Sequence, residues 1–300
     1  MDLKQLEYFV RVAELGSFTR ASIALGVAQP ALSRQVRLLE VELRQNLLTR
    51  NGRGASPTEA GKILLEHGRG ILHQVQLARE ELGAARGSLA GRVSIGLPPS
   101  LSRLITVPLT HAFREHLPQA QLTLTEGFSV LMNEGLRLGH LDMAVLYNPD
   151  RSAEQEMLSL HKEELVLISP HLPPKKAKPV SLREVAALPL ILPSRPNAFR
   201  LQIETDMTRI GERPNVTMEV DGLNGILNLV KEGLGHAVLP RYTLSNFENA
   251  DPFTVRGIHS PKLMSELVLV WPTRRPMTQT HRRALELLQD VVSDAMKPYR

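Results

Sequence analysis

Apolar residues in the first part of the chain recur at helical spacing in segments separated by turns. The first predicted helix runs from about Leu3 to Leu15. The second begins after Ser17, whose hydroxyl can accept a hydrogen bond from the amides of the opening turn. Gly26 can adopt the left-handed conformation that ends this helix, and Pro30 suits the start of a third, where its missing amide costs nothing. The pattern predicts a helix-turn-helix.

The third predicted helix has two different faces. The apolar stripe that we expect to pack inward consists of Leu32, Val36, Leu39 and Leu43. The opposite face consists of Gln29, Ser33, Arg34 and Arg37, with Glu40 and Arg44 further along. Such a face can read base edges in the major groove, because Gln pairs with adenine and Arg with guanine. The alternative is an ordinary helical hairpin with a solvated polar face.

A predicted hairpin after the third helix favours DNA binding over this alternative. Residues 47–50 have the pattern of a short strand, 51–52 form an Asn-Gly turn signal, and 53–56 return. The hairpin would be a wing with Arg50 and Arg53 near its tip, where they can reach phosphates or a minor groove.

Short motifs in this segment carry a resemblance to a known family. They are Leu6-Glu-Tyr-Phe9, Gly16-Ser-Phe18, Ala21, Ala28-Gln-Pro-Ala-Leu-Ser-Arg-Gln35, Leu38-Leu-Glu40 and Thr58-Glu-Ala-Gly61. Residues 1–61 resemble the winged helix-turn-helix of LysR-type transcriptional regulators. Residues 47–50 depart slightly, because the family more often has Leu-Phe-x-Arg there. We expect the DNA contacts to be Ala28, Gln29, Pro30, Ser33, Arg34, Arg37, Arg50 and Arg53.

A long helix is predicted next, over roughly 59–85, with a length of about 40 Å. Its apolar positions step by seven in two series, Leu64, Ile71, Ala78 and Ala85, and Gly68, Val75, Leu82 and Leu89. Such a seam suits a partner helix, and packing on its own domain is the alternative. We expect a homodimer, because a helix-turn-helix normally reads paired half-sites and the resemblance implies dimerisation through this helix. A hinge is predicted at Gly83, Gly87, Ser88 and Gly91. The predicted domains are a DNA-binding domain over 1–58 and a linker or dimerisation helix with its hinge over 59–90.

Strands and helices alternate from residue 92 onward, which predicts mainly parallel sheets with helices on both faces. The pattern contains two such sets, followed by a closing strand at 267–270 and a helix at 279–296. This order resembles a two-lobed, periplasmic-binding-protein-like effector domain over 91–300. Lobe I would hold 91–162 and 267–300, and lobe II 163–266. The predicted fold class is therefore α/β: a winged helix-turn-helix, a long linker helix and this effector domain. The resemblance covers the whole chain, more loosely beyond residue 90, and Gly96-Leu-Pro-Pro-Ser100 is similar to the branch of nitrogen assimilation control regulators.

An effector would bind beyond the carboxyl ends of the strands, where helix N-termini offer free amides. The residues selected are Pro99, Ser100, Leu101, Phe128, Ser129, Tyr147, Ser194, Arg195, Asn197, Phe199, Asp221 and Asn224. The amides and Arg195, which can pair bidentately with an anion, favour a small anionic effector. As alternatives, Ser100, Ser129 and Asn224 would simply cap helices, and Arg195 would be a surface charge.

Composition narrows the class of protein. The net charge of +5 and pI of about 9.6 suit an anionic partner, and the absence of Cys excludes disulfides and thiolate metal sites. Residues 127–131 lack the second glycine of a nucleophile elbow, and the histidines form no H-E-x-x-H motif. We therefore predict that the chain is not an enzyme and uses no cofactor or metal.

The sequence also predicts where the protein is located. With no signal peptide and no apolar run of about 20 residues, we expect it in the cytoplasm and not at a membrane.

The function predicted from these features is sequence-specific regulation of transcription, controlled by a small molecule bound between the two lobes. The expected partners are double-stranded DNA, the effector and a second copy of the chain. The resemblance further implies a homotetramer, and RNA polymerase as a partner if the regulator is an activator. The alternatives are a small-molecule-binding protein or enzyme that has acquired a helix-turn-helix, and a nucleoid protein indifferent to sequence, which would not explain a two-lobed domain.

Overall fold

The computed structural model describes residues 1–51, 54–84, 89–171, 178–245, 253–273 and 277–299 of the chain. The chain divides into two compact units, Met1–Gly87 with Arg137–His140, and Ser88–Leu136 with Leu141–Arg300. In the described segments, none of the helices has the length and apolar character needed to span a bilayer.

The N-terminal unit begins with the predicted helices, α1 Leu3–Leu15, α2 Phe18–Leu25 and α3 Gln29–Leu43. Their ends follow the predicted signals. Asp2 and Gln5 form a capping box at the start of α1, and the Ser17 hydroxyl accepts from the Arg20 amide at 3.3 Å. Gly26 ends α2 with φ 63°. Local sequence therefore fixes these boundaries.

The inward stripe of α3 is confirmed for Leu32, Val36 and Leu39, which are fully buried. The prediction was wrong for Leu43, whose side chain is 37% exposed. Leu43 is the last residue of α3, and Arg44 leaves the helix in the left-handed conformation with φ 55°, so no further turn covers Leu43.

Glu40 was expected on the polar face of α3 and is instead buried. Its Oε1 accepts hydrogen bonds from the backbone amides of Leu47 at 2.9 Å and Leu48 at 3.2 Å. A buried carboxylate needs such partners, and here they are the amides at the start of the wing. Glu40 therefore ties the end of α3 to the hairpin.

The wing consists of the antiparallel strands β1 Leu48–Asn51 and β2 Gly54–Pro57. Asn51 pairs with Gly54, so Asn51 belongs to β1 and not to the turn, and the predicted turn was one residue early. Contact with the α1–α2 turn fixes this register, because the Ala55 amide donates to the Gly16 carbonyl at 2.9 Å. A Cβ at Gly54 would lie 2.4 Å from the same oxygen. Gly52 and Arg53 lie outside the described residues.

Helix α4, Glu59–Ala84, has 26 residues and begins where the long helix was predicted. A Cβ on Gly68 would lie 3.0 Å from the side chains of Leu6 and Val10 on α1. Leu64 packs against the same core, so the first part of the predicted seam is satisfied within its own unit. Later along the helix, Ile71 and Leu82 are exposed.

The predicted hinge was wrong for two of its glycines. Gly83 continues the hydrogen-bonded helix α4, and Gly91 belongs to the strand β3, Ala90–Leu97. Gly87, Ser88 and the seam residue Ala85 lie outside the described residues.

The C-terminal unit alternates strands and helices as predicted. Its helices are α5 Pro99–His116, α6 Ser129–Leu138, α7 Leu182–Ala187, α8 Ala198–Arg209, α9 Leu223–Lys231 and α10 Gln279–Met296. Its strands after β3 are β4 Gln119–Glu126, β5 Met143–Tyr147, β6 Gln155–Pro170, β7 Val180–Ser181, β8 Leu190–Leu192, β9 Val216–Glu219, β10 Ala237–Pro240, β11 Phe253–His259 and β12 Met264–Pro272. Short 3₁₀ helices occupy Arg241–Leu244 and Lys297–Tyr299. The pattern did not predict β7, α7 or β11.

Two long antiparallel strands, β6 and β12, organise this unit. In the first lobe, β4, β3 and β5 are parallel, and β12 joins β5 and β6 in antiparallel pairing. In the second lobe, the last part of β6 pairs antiparallel with β10 and β11, while β8 and β9 form a parallel pair. The prediction of mainly parallel sheets was therefore wrong, because the strands that cross between the lobes run antiparallel. Helix α10 returns to the first lobe, against α5 and β3, as predicted.

Candidate DNA-binding surface and effector cavity

The N-terminal end of α3 presents the residues that were predicted to contact DNA. Ala28, Gln29, Pro30 and Arg34 are exposed, and Ser33 is half-buried. Ala28 precedes the helix and provides no side-chain cap. A helix N-terminus without a side-chain cap, next to an exposed guanidinium group, suits a polyanionic partner.

The remaining predicted DNA contacts lie near the wing. Arg37 is exposed, with its Nη1 3.4 Å from the Glu40 Oε2 and 3.4 Å from the Asn46 Oδ1. These two acceptors orient the guanidinium group beside the start of the wing. Arg50 lies on β1 opposite Ala55, and its side chain, like Arg53, falls outside the described part of the chain.

A cavity of about 520 Å³, counting the part open to solvent, lies between the two lobes of the C-terminal unit. Seven of the predicted effector contacts line it: Pro99, Ser100, Phe128, Ser129, Tyr147, Asn197 and Phe199. The segments that the sequence selected at the strand ends also contain three further lining residues, Pro98, Gly222 and Leu223. The lining residues that the sequence did not indicate are Pro193, Ala198, Ile226 and Leu239. Most of the missed residues are apolar. Ile226 lies one turn after Leu223 on α9, and that spacing is the signal that could have found it.

A chain of hydroxyl groups lies beside the cavity. The Ser100 Oγ is 2.8 Å from the Tyr147 Oη, which in turn is hydrogen-bonded to the Tyr242 Oη. The Ser129 Oγ accepts from the Tyr147 amide at 3.1 Å, and the Tyr147 ring lies 4.3 Å from that of Phe199. Burial, above all, raises the pKa of both tyrosines well above the usual value, so they remain neutral hydroxyls.

Helix capping explains one of the polar residues on the cavity wall. The Asn197 Oδ1 caps α8 by accepting from the amides of Phe199 at 3.0 Å and Arg200 at 3.3 Å. Ser100 is not a cap, because Pro98 precedes α5 and Ser100 bonds to Tyr147. Asn224 is not a cap either, because Gly222 occupies that position on α9.

Five predicted effector contacts do not reach the cavity wall. Leu101 is fully buried in the core. The Ser194 amide donates to Asp221 at 2.8 Å and its hydroxyl donates to the same carboxylate, so these two residues satisfy each other. These bonds lower the pKa of Asp221. Arg195 and Asn224 are the other two.

Arg195 forms a bidentate pair with Glu204, through Nε at 3.0 Å and Nη2 at 2.9 Å. The surface-charge alternative therefore describes Arg195. Asn224 accepts a hydrogen bond from the Arg103 Nη1 at 2.6 Å, which joins α9 of the second lobe to α5 of the first. A second inter-lobe bond runs from the Asn148 Nδ2 to the Gln202 Oε1 at 2.7 Å.

Known proteins match the chain in both of its units. Residues 3–62 match the family described as "Bacterial regulatory helix-turn-helix protein, lysR family", and residues 86–293 match "LysR substrate binding domain". The chain belongs to the LysR family. It is therefore a DNA-binding transcriptional regulator with an effector-binding domain, not an enzyme. Family membership also confirms the fold class that the sequence predicts.

Among its LysR relatives, the nitrogen assimilation regulatory protein nac of Escherichia coli is 34% identical, over 100% of this chain and 98% of the relative. The protein of that name from Klebsiella aerogenes is 35% identical, over 98% and 96%. A full-length variant of OxyR from Pseudomonas aeruginosa superposes with a TM-score of 0.74 at 26% identity, covering 97% of this chain and 94% of that structure. Full-length CbnR complexed with its target DNA gives 0.72 at 24% identity, covering 97% and 100%.

Proposed function

We propose that α3 reads the operator sequence directly. In this proposal Gln29, Ser33 and Arg34 contact base edges, while Arg37, Arg50 and Arg53 contact phosphates or a minor groove. The observation that carries the proposal is the exposure of Gln29 and Arg34 on the first two turns of a helix whose opposite side is fully buried. A helix held this firmly can present its polar face in one fixed orientation.

A protection footprint tests this proposal on the DNA upstream of the protein's own gene and its divergent neighbour. We expect wild type to protect paired half-sites and Arg34→Ala to lose that protection, since one bidentate base contact is worth about 1–3 kcal/mol. Arg114→Ala is the matched control, because it removes the same charge from an exposed position on α5. Uniform, salt-sensitive coating that is the same for wild type and Arg34→Ala would contradict base reading.

We propose that the effector is a small molecule with an apolar body and a single acidic group. Its apolar body would fit the walls formed by residues such as Phe128, Leu223 and Ile226. Among the described residues that line the cavity none is charged, so the acidic group would depend on the Ser100 and Ser129 hydroxyls and on helix N-terminal amides. The geometry of Arg195 removes the bidentate partner that the sequence suggested.

A thermal-shift screen with matched compounds tests this ligand class. Each carboxylic acid is compared with its amide and with the amine of the same hydrocarbon body. The proposal predicts that the acid raises the melting temperature more than the amide, and that the amine has no effect. Stabilisation by amides or amines alone would contradict the acidic class.

We infer that the chain acts as a homodimer through α4, and as a homotetramer whose packing responds to effector-driven closure of the lobes. The exposed Ile71, in the middle of α4, and Leu82, near its end, support a partner helix along this part of α4. The domain bounds that we propose are 1–58, 59–90 and 91–300, with lobe I at 91–162 and 267–300 and lobe II at 163–266. As a DNA-bound regulator, the chain would work in the cytoplasm, and an activator would also contact RNA polymerase.

A further inference from the structure

A buried carboxyl group lies where β6 crosses from the first lobe to the second. Glu163 pairs with Ser265 of β12, and both residues are buried, with Glu163 only 7% exposed. The Glu163 Oε1 finds no hydrogen-bond partner among the described residues. Burial disfavours an ionised carboxylate in such a place, because no donor replaces the lost hydration of its Oε1 among the described residues.

The surroundings of Glu163 connect the two lobes. The charge of Glu163 helps to raise the pKa of two tyrosines. Tyr147 ends β5 of the first lobe, and Tyr242 lies in the 3₁₀ helix that follows β10 of the second. Tyr147 and Tyr242 are hydrogen-bonded to each other, and the Tyr147 ring also packs on Phe199 of α8. Separation of the lobes would break these contacts and admit water to this position.

We propose that Glu163 binds a proton when the lobes are closed and releases it when they open, so that lobe opening is linked to proton release. Effector binding that closes the lobes would then take up a proton. This inference rests on the effector-cavity role proposed above, because it assigns the regulation of that same cavity. Burial raises the pKa of Glu163 from 4.5 to about 8, in agreement with the geometry.

Other titratable groups lie near Glu163, and their contributions must be distinguished from that of Glu163. Tyr147 and Tyr242 stay protonated, because their pKa values lie well above 10. On β6, Lys162 lies 3.9 Å from Glu266, and Glu164 accepts a hydrogen bond from the Lys262 ammonium group. His161 lies two residues earlier on the same side of the strand, so it needs its own control.

Spin labels can measure lobe opening directly, because the natural chain has no cysteine. Cysteines replacing Val130 on α6 and Leu201 on α8, both exposed, would stand next to cavity residues of opposite lobes. The full-length labelled chain is diluted with unlabelled chain, so that only distances within one chain are recorded between pH 5 and 9. No effector or DNA is added.

We expect the ratio of long to short distances to rise by up to tenfold per pH unit between about pH 5 and 8, and then to level off. Glu163→Gln should abolish this rise, and His161→Gln should keep it. If Glu163→Gln does not fold, Glu163→Met serves as a second neutral variant. An unchanged distance in wild type, or the same rise in the neutral variant, would overturn the proposal. The operator footprint is a separate measurement, so neither outcome of the spin-label experiment affects the test of whether α3 reads DNA bases.

Discussion

The carboxylate of Glu40, near the end of α3, accepts a hydrogen bond from the backbone amide of Leu47 at 2.9 Å. The same oxygen accepts from the amide of Leu48 at 3.2 Å, and the other carboxylate oxygen lies 3.4 Å from the Arg37 guanidinium group. One buried side chain therefore positions both the wing and a predicted phosphate contact. The helix that we propose reads DNA and the hairpin beside it are thus coupled.

We predict that Glu40→Leu lowers the free energy of unfolding of the N-terminal unit by about 2–4 kcal/mol, because two buried amides lose their acceptor. Urea unfolding followed by circular dichroism measures the change. Glu40→Gln is the control, since it keeps an acceptor oxygen and should cost less than Glu40→Leu. Equal losses for the two variants would show that the hydrogen bonds are not the cause.

Gly61 makes a close approach between α4 and the start of the wing. A Cβ at this position would lie 2.0 Å from the Leu47 carbonyl oxygen, a backbone atom that cannot turn away. Gly61→Ala should therefore destabilise the fold by about 1–3 kcal/mol. At Gly257 on β11, a Cβ would meet nothing within 4 Å, so Gly257→Ala should unfold at nearly the wild-type urea concentration. A neutral Gly61→Ala would contradict the close packing.

The second half of α4 provides a test of assembly. Leu82 is 75% exposed in the single chain, so Leu82→Glu should leave the fold intact and weaken the dimer at least tenfold if this face contacts a partner helix. Light scattering after size exclusion, over a dilution series, measures the oligomeric state. Val107→Glu makes the same substitution on an exposed residue of α5. Dissociation by Val107→Glu alone would place the dimer contact elsewhere.

Stability should depend on pH through Glu163. Its pKa in the folded chain is about 8 against an ordinary value of 4.5, so the folded state keeps a proton that the unfolded state loses. The contribution is complete below pH 4.5 and is lost as the pH rises towards 8. Relative to Glu163→Gln, wild type should therefore lose about 3 kcal/mol of unfolding free energy between pH 5 and 8. Parallel pH profiles for the two proteins would contradict the raised pKa.

The sequence predicted the features that depend on local chemistry. The cap at Ser17, the stop at Gly26 and the stripe from Leu32 to Leu39 need only neighbouring residues, and all three are confirmed. The errors at Leu43 and Glu40 arose where the chain turns back and distant groups decide burial. Helical spacing could not show that the amides of the wing would reach the Glu40 carboxylate.

The cavity illustrates the same limit. Strand ends and helix starts indicated Ser100 and Tyr147, because topology alone brings them to one edge of the sheet. Arg195 was selected for its charge, yet its side chain pairs with Glu204 on α8, nine residues later in the chain. Tyr242 and Glu163 were not selected, because their proximity to Tyr147 depends on how β6 crosses between the lobes.

The two crossing strands have a mechanical consequence. β6 and β12 are hydrogen-bonded to each other through the crossing, from the pair of Met264 and Glu164 to that of Pro272 and Gln155, and the register shifts only between Leu267 and Val268. A two-stranded ribbon bends across its flat face more easily than it shears within its plane. We therefore expect the lobes to move mainly by bending of this ribbon. A ligand that closes the lobes would then change the curvature of this paired ribbon, whose pairing is interrupted only at Leu267 and Val268.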